Sequence, residues 1–430
     1  MNGDRITHFE AARPSHEGFL ANRDIEGTLS RASGRHRETD LDNLLAGGKG
    51  DLRGNLTHFT YEIDKIDVFF VHVFLPFVCG RGSLPKGRKS PCSRELVVDK
   101  DRRCAVDVTV TDLGNDLFQI DTEQSGYKGI TAGYLIRGSK PTLIETGTAS
   151  SAPIVIAALE KLEITPKDLA TIVVTHVHLD HAGGAGHLTS HYPNAELIAH
   201  ERGAKHLVDP TKLMNSARRV FGSMIDDVMG ALLPTPVERV RSLGDTAAID
   251  LGGGRTLHSY YAPGHASHHV GLIDSTTGDL FVGDAAGVYI PETDTVRPAT
   301  PPPDFDLDIA LNTIDTFESL KPTRLLFSHY GPVSKIDETL DRSREELRVW
   351  VELVREARNT RLDLDHAIAM IIERTKDRYA ALFANEMAME RFEALNSTGA
   401  NIVGINRWLD KVEANPYDFG DAAASAPKTQ

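Results

Sequence analysis

Cysteine is scarce in this chain of 430 residues, which contains only Cys79, Cys92 and Cys104. A small and odd number of cysteines argues against a disulfide framework of the kind that stabilises secreted domains. We therefore expect a reducing environment and predict a cytoplasmic location.

Long apolar runs are also missing. A membrane-spanning helix needs about 18–20 apolar residues, and the nearest candidate, Ile66 to Cys79, is interrupted by Asp67, His72 and Pro76. The first 30 residues contain no basic start followed by an apolar run, which is the pattern of a secretory signal. We expect no membrane association and no signal peptide.

Positive charge is in the minority, since the formal net charge is -14 at pH 7. Nucleic-acid binding normally depends on a basic face that neutralises phosphates, so we expect a small-molecule substrate and no nucleic-acid partner. The hydrophobic content of 40% and charged content of 25% are ordinary for a globular protein. The length favours a central domain with additional segments.

The first 105 residues differ from the rest because they are rich in Arg, Gly, Ser and His and show little periodicity. We interpret residues 1–105 as an N-terminal extension that is largely disordered. An upstream error in the assigned gene start is an alternative, but no methionine occurs between Met1 and Met214. The role of this extension stays open.

Short apolar runs separated by turns begin at Val106 and alternate with helical patterns until about Val333, which indicates a layered α/β domain over residues 106–333. Ser151 and Pro153 are suited to begin a helix that extends to Leu162. The predicted strands are Val106–Val110, Leu117–Asp121, Gly133–Ile136, Thr142–Ile144, Thr171–Val174, Leu197–Ala199, Leu257–Tyr261, Val270–Asp274, Leu280–Val282 and Leu325–Ser328.

Two helical regions accompany these strands. Apolar residues at three- and four-residue spacing predict one amphipathic helix over Thr211–Leu233, which either packs on the core or also forms the wall of an acyl pocket. A helical C-terminal region is predicted over residues 334–415, followed by a flexible tail, 416–430. Its expected helices are Ile336–Ala357, Asp365–Phe383 and Ala400–Val412.

The chemistry is concentrated directly after the strand that begins at Thr171. Three imidazoles and one carboxylate, from His176, His178, Asp180 and His181, occur within six residues. The first pair can share one ion, and the second pair can serve another ion about 3.5 Å away, as in paired-metal hydrolases. The glycines that follow permit a tight turn into a helix.

This His-x-His-x-Asp-His motif resembles the signature of the metallo-β-lactamase superfamily, and the likeness extends over about Val106 to Val333. The family supplies three later ligands, which match His265 in Ala-Pro-Gly-His, Asp284 in Val-Gly-Asp and His329 in Phe-Ser-His-Tyr-Gly. The resemblance implies a four-layer αββα sandwich. It also implies that metal one binds His176, His178 and His265, that metal two binds Asp180, His181 and His329, and that Asp284 bridges them.

Nitrogen and oxygen ligands without a thiolate suit two divalent ions, with zinc expected and iron or manganese as alternatives. Asp284 stands where the antibiotic-hydrolysing branch with a cysteine ligand has that cysteine, so this branch is disfavoured. Around the ligands we expect supporting roles for His269, Glu145 and Tyr330, the last as an oxyanion donor. We expect His268 to be a surface residue.

These features predict a binuclear metal-dependent hydrolase in which a hydroxide between the metals attacks an ester, lactone or thioester. Asp180 and Asp284 are the expected catalytic carboxylates, with Asp180 as a proton shuttle. A phosphodiesterase and a mononuclear-iron persulfide dioxygenase are the alternatives. The sequence does not determine the substrate, and it leaves a homodimer open.

Overall fold

The computed structural model describes residues 107–222 and 225–419. The predicted extension 1–105 lies outside the described residues, as does most of the predicted tail. No helix in the described ranges combines the length and apolar character needed to cross a membrane.

A seven-stranded sheet forms the first half of the domain, with its strands in sequence order. The first four strands pair antiparallel, and the last four pair parallel, with β4 common to both groups. The strands are β1 Val110–Asp112, β2 Leu117–Asp121, β3 Ala132–Ile136, β4 Thr142–Ile144, β5 Thr171–Val173, β6 Glu196–His200 and β7 Val240–Leu243.

A six-stranded sheet forms the second half, in the order β15-β14-β11-β10-β9-β8. All its pairings are antiparallel except that of β11 with β14. Its strands are β8 Thr246–Asp250, β9 Thr256–Tyr261, β10 Val270–Asp274, β11 Asp279–Gly283, β14 Arg324–Phe327 and β15 Gly331–Val333; the separate hairpin is β12 Val288–Ile290 and β13 Thr295–Arg297.

The two sheets pack face to face, because strand residues alternate between an inner and an outer face. In β3, Tyr134 and Ile136 enter the core between the sheets, whereas Leu135 points to the opposite face. Tyr134 meets Phe281 of the second sheet edge to face, with ring centroids 5.3 Å apart. Every residue of β2 to β5 is buried, as expected for a sheet covered on both sides.

Helices cover the outer face of each sheet. Those on the first sheet are α1 Ala152–Lys161, α2 Leu179–Ala182, α3 Ala185–His191, α4 Glu201–Val208 and α5 Thr211–Phe221. Those on the second sheet are α6 Leu307–Ser319, α7 Ile336–Asn359, α8 Leu364–Thr375, α9 Ala380–Phe383, α10 Glu386–Leu395 and α11 Thr398–Val412. The predicted four-layer αββα sandwich with a helical C-terminal region is confirmed.

Side chains that accept a backbone N–H define where four of the later helices begin. Asp306 accepts from Ile309, Asp363 from His366, Asn385 from Ala388 and Ser397 from Ala400, at 2.9–3.1 Å. Each satisfies one amide that the first helical turn leaves without a partner within the helix. These caps place the C-terminal helices in short, sharply bounded segments.

Several predictions of local structure were wrong. The first strand begins at Val110, four residues after the predicted start. The helix predicted over Thr211–Leu233 is interrupted: α5 ends at Phe221, Gly222 adopts φ +59°, and Ile225–Met229 forms a π-helical turn. A positive φ cannot continue a right-handed helix, so the apolar spacing persists while the helix does not.

Other differences concern helix boundaries. Ser151 occupies the N-cap position of α1 as predicted, but its hydroxyl makes no capping hydrogen bond and instead bonds with Thr148 at 2.9 Å. The helix predicted over Asp365–Phe383 is divided between α8 and α9. Helices α6 and α10 were not predicted.

Candidate metal centre

The seven predicted ligand side chains meet at one end of the two sheets. After β5 the chain bends at Thr175 and His176, and His178 is extended directly before α2, so Asp180 and His181 lie within that short helix. The remaining three ligands follow β9, β11 and β14. Loops at strand ends and the short helix α2 therefore position the predicted ligands.

The first half-site contains His176, His178 and His265, whose ligand atoms lie within 4.8 Å of one another. The His178 Nδ1 atom is 3.0 Å from His176 Nε2 and 3.1 Å from His265 Nε2. Three imidazole nitrogens thus converge, although the third residue is separated from the first by more than 80 positions in the sequence.

The second half-site contains Asp180, His181 and His329, again with all ligand atoms within 4.8 Å. The Nε2 atoms of His181 and His329 are 3.1 Å apart. The Asp180 Oδ2 atom lies 3.4 Å from the His329 nitrogen and 3.7 Å from that of His181. This half-site therefore offers two imidazoles and one carboxylate.

Asp284 lies between the half-sites and presents one oxygen to each. Its Oδ1 atom is 3.3 Å from His181 Nε2 and 3.5 Å from His329 Nε2. Its Oδ2 atom is 3.5 Å from His265 Nε2. This is the geometry expected of a carboxylate that bridges two cations.

Backbone carbonyls determine the tautomers of two ligand histidines. His265 Nδ1 is 3.0 Å from the Ala299 oxygen, and His329 Nδ1 is 2.9 Å from the Ile130 oxygen. A carbonyl can only accept, so each Nδ1 carries the proton and each Nε2 directs a lone pair into the centre. A hydrogen bond from the outer ring nitrogen to a carbonyl is typical of metal-ligating histidines.

The residues fit a bound divalent cation. Each of the seven side chains is at most 4% exposed, and the lone pairs of His265 and His329 face the oxygens of Asp284 at 3.5 Å. Lone pairs and carboxylates at this separation repel one another without a cation between them. A nitrogen and oxygen donor set without sulfur suits zinc, iron or manganese.

Electrostatics distinguish the bridging carboxylate from its surroundings. Burial alone would raise the pKa of Asp284, but His181, His329 and His265 hold that pKa well below its ordinary value. Burial would lower the pKa of His181, yet Asp284, Asp180 and Glu145 keep it well above the ordinary value. Burial lowers the pKa of His176 and of His265.

Glu145, a predicted supporting residue, lies behind the second half-site. It follows β4 with φ +64°, and its Oε1 atom accepts from the Thr175 N–H and the Ser328 hydroxyl, both at 3.3 Å. Its Oε2 atom is 3.6 Å from His181 Nδ1. The carboxylate therefore connects the two ligand loops that Thr175 and Ser328 begin.

His269, the second predicted supporting residue, contacts the bridging aspartate through the backbone. Its Nε2 atom accepts from the Asp284 N–H at 3.1 Å. The contact requires glycine at position 283, which has φ +53° and where a Cβ atom would lie 2.3 Å from the same nitrogen. The backbone that carries Asp284 is thus held against this imidazole.

The last two predicted residues lie farther from the ligands. His268 is buried, and the expectation of a surface position was wrong; its Nδ1 atom accepts from the Val177 N–H at 3.4 Å. Tyr330 packs against the core between the sheets, where burial and Asp121 raise its pKa and Gln119 hydrogen bonds with it. Its role as an oxyanion donor stays a prediction.

Comparisons with known proteins concern the family to which the chain belongs. The model of the metallo-β-lactamase superfamily matches residues 126–329. A metallo-β-lactamase fold-containing protein of Sulfurisphaera tokodaii is 31% identical over 228 residues, which cover 51% of this chain and 82% of that protein. A hydroxyacylglutathione hydrolase of Synechococcus sp. is 30% identical over 147 residues, which cover 33% of this chain and 44% of that protein.

Among solved structures, an archaeal metallo-β-lactamase superfamily protein from Sulfolobus tokodaii is 29% identical, with a TM-score of 0.47 and coverage of 55% of this chain and 87% of that chain. The match of the family model spans the motif and all three later ligands. The chain belongs to the metallo-β-lactamase superfamily.

Proposed function

We propose that the protein is a binuclear metal-dependent hydrolase that cleaves a carboxylic ester, lactone or thioester. The observation that carries this proposal is the convergence of seven buried ligand side chains into two half-sites that share Asp284. A mononuclear centre would need only part of this ligand set. Retention of Asp180, His181 and His329 in one buried cluster is explained by a second ion.

Two bound divalent ions would supply Lewis acidity and lower the pKa of a shared water towards about 7. The carboxylates of the protein itself would hold the ions in place and transfer a proton. Asp284 holds its two oxygens towards different half-sites, and Asp180 places a buried carboxylate oxygen 3.4 Å from His329. We assign Asp180 the transfer of a proton to the leaving group.

The substrate class follows from the donors and from one relative. The grouped side chains are histidines and aspartates. The formal net charge of -14 disfavours a phosphodiester, whose negative charge basic residues usually neutralise. The related hydroxyacylglutathione hydrolase hydrolyses an acylglutathione, which is a thioester, and this supports including thioesters.

The test is a substrate panel with the zinc-loaded protein: short-chain esters, lactones, glutathione thioesters and phosphodiesters, with oxygen uptake measured on persulfides. We expect hydrolysis of at least one carboxyl derivative, and loss of activity with a chelator. Asp284→Ala and His178→Ala should each lower kcat/KM by more than about 100-fold, since several kcal/mol of transition-state stabilisation are lost.

Matched controls use the same substitutions at exposed positions, Asp308→Ala and His366→Ala. Both controls should retain activity. Full, chelator-resistant hydrolysis by the two ligand variants would contradict the proposal, and persulfide-dependent oxygen uptake by a protein with one iron would favour the dioxygenase. The cytoplasmic location and the small-molecule substrate remain part of this proposal.

A further inference from the structure

The carbonyl of Ala299 accepts a hydrogen bond from His265 Nδ1, at 3.0 Å. Ala299 follows β13 in a segment without regular secondary structure. A carbonyl in such a segment can orient a ligand only if the neighbouring peptide groups are themselves fixed. The contacts of Pro298 and Thr300 therefore determine whether the Ala299 carbonyl is held in place.

Both peptide neighbours of Ala299 are held by buried asparagines of the C-terminal helices. The Pro298 oxygen accepts from Asn396 Nδ2 at 2.9 Å, and the Thr300 N–H donates to Asn401 Oδ1 at 2.8 Å. The Thr300 hydroxyl also donates to Asn401 Oδ1, at 2.9 Å. Both asparagines are 2% exposed, and Asn401 Nδ2 donates to Asn396 Oδ1, so the two amides form one unit.

The backbone of α11 lies directly against the same segment. A Cβ atom at Gly404 would lie 1.8 Å from the Thr300 oxygen, so only glycine permits this close approach. On the other side, buried Arg297 donates to Glu393 at 2.8 Å and to Thr398 at 3.0 Å. Residues 297, 298 and 300 are therefore all bound by the junction of α10 and α11.

We propose that Asn396 and Asn401 are positioning residues for the metal ligand His265, which they orient through the Ala299 carbonyl. This inference rests on the proposed binuclear centre. It gives the C-terminal helices a share in metal binding although they contribute no ligand. We call these two asparagines the amide clamp.

The amide clamp should act on one half-site. The equivalent support for the second half-site is the Ile130 carbonyl, which holds His329. Helix α10 reaches that loop through exposed contacts, from Arg391 to the Lys128 oxygen and from Tyr127 to Glu390. Neither contact involves the amide clamp, so its loss should weaken the first half-site selectively.

The test measures zinc affinity by chelator competition in two single-site backgrounds of the full chain. His329→Ala leaves the first half-site intact, and His178→Ala leaves the second. Asn401→Ala should lower the zinc affinity about 10-fold in the His329→Ala background, as typical of lost outer-shell support. It should leave the affinity in the His178→Ala background unchanged within about twofold.

Asn406→Ala is the matched control, because Asn406 lies on the same helix and bonds with Tyr417 and Arg358 instead. It should change neither affinity. Thr300→Val removes only the hydroxyl bonds to Asn401 and retains both helices' side chains, so it serves if Asn401→Ala does not fold. We expect Thr300→Val to lower the zinc affinity of the first half-site selectively, but by less than Asn401→Ala does.

Equal weakening of both half-sites, an unchanged first half-site, or the same effect from Asn406→Ala would overturn the amide clamp. Absence of zinc binding in the His329→Ala background would overturn it as well, because no first half-site would remain to position. These readouts do not depend on hydrolysis. A protein that binds zinc as expected but cleaves no substrate of the panel would contradict the proposed function and leave the amide clamp supported.

Discussion

His265 and His329 show how single residues prepare this centre, because one backbone carbonyl fixes the proton of each ring on the outer nitrogen. The inner nitrogen then has a lone pair for a cation. Glu145 provides the corresponding support for His181 with a charged oxygen at 3.6 Å. The strength of metal binding should therefore depend on groups that are not ligands.

Glu145→Ala should lower the zinc affinity of the second half-site by about 10- to 100-fold, the usual effect of losing an outer-shell carboxylate. It removes the charge beside His181 and the acceptor for Thr175 and Ser328. Chelator competition in the His178→Ala background measures this affinity. Glu163→Ala, on the exposed end of the α1 turn, is the control, and equal affinities of both variants would contradict the assigned role.

Gly283→Ala should destabilise the protein by about 1–3 kcal/mol through overpacking and reduce its metal content. The new Cβ atom would lie 2.3 Å from His269 Nε2, so Asp284 could not keep its place. Urea unfolding and metal analysis measure the two effects.

Gly254→Ala separates this clash from backbone strain. Gly254 also has a positive φ, +83°, but a Cβ atom there would meet nothing within 4 Å. The Gly254→Ala variant should lose only about 1 kcal/mol of its free energy of unfolding, through backbone strain, and should retain its metals. Equal metal loss in both variants would refute the steric explanation.

For single residues, the sequence identifies the ligand side chains better than the backbone carbonyls that orient them. Four ligands occur within six residues, a density with few structural explanations, and the other three ligands follow apolar strands. The carbonyls of Ala299 and Ile130 have no signature, because every residue has a carbonyl and only folding selects which one is used. His268 adjoins His269 in the sequence, and its burial depends on packing against α4, where Gly203 approaches it.

Among the elements, α7 is connected to the segment between α8 and α9 by a buried polar network. Tyr379 accepts from Trp350 Nε1 at 2.8 Å and donates to the Glu346 carboxylate, which also receives Arg378 at 2.7 Å. Glu346 is 3% exposed. A buried carboxylate is tolerated only when its oxygens are hydrogen bonded.

Tyr379→Phe should lower the free energy of unfolding by about 1–3 kcal/mol, because it leaves the Trp350 N–H and one Glu346 oxygen without this partner in the interior. Urea unfolding measures the change. Tyr260→Phe, on β9 and incompletely buried, is the matched control. Zinc content should be unaffected, and an unchanged stability would show that the network contributes nothing.

Element boundaries were predictable where side chains mark them. β2, β4 and β10 have the predicted limits, since turn residues flank each apolar run. The predicted helix Thr211–Leu233 failed at Gly222, because apolar spacing continues across a residue whose φ ends the helix. The start of α6 was predictable from its capping residue, Asp306. The pairing of β12 with β13 was not, because each strand has only three residues and no local pattern identifies its partner.

On the scale of the whole molecule, stability should depend on pH through buried neutral histidines. His200 is 1% exposed and stacks on Tyr261 with centroids 4.7 Å apart. Burial lowers its pKa, although Asp245 partly opposes this. Below about pH 6.5 the unfolded chain binds a proton at this position that the folded chain resists, so this contribution to stability is present above pH 6.5 and is lost as the pH falls.

His200→Asn should therefore reduce the loss of stability between pH 7.5 and 5.5, by up to about 1 kcal/mol per pH unit. Asparagine can still cap α4, as His200 does through the Arg202 N–H. Urea unfolding of the metal-free proteins at both pH values gives the comparison, with His366→Asn as the exposed control. An identical pH dependence of wild type and His200→Asn would contradict the inference.

The C-terminal helices extend the second sheet's core and reach the metal centre through the segment 297–300. The sequence predicted that these helices exist but did not predict their contact with this segment. Their contact with the centre depends on the close approach of Gly404 to Thr300, two positions about 100 residues apart, and no local pattern encodes it.

The most direct test of the central claim is an anomalous diffraction measurement at the zinc absorption edge on crystals of the zinc-loaded protein. From the proposed binuclear centre we expect two peaks about 3.5 Å apart, with Asp284 between them. One should lie among His176, His178 and His265, and the other among Asp180, His181 and His329. A single peak, or peaks away from these seven side chains, would contradict it.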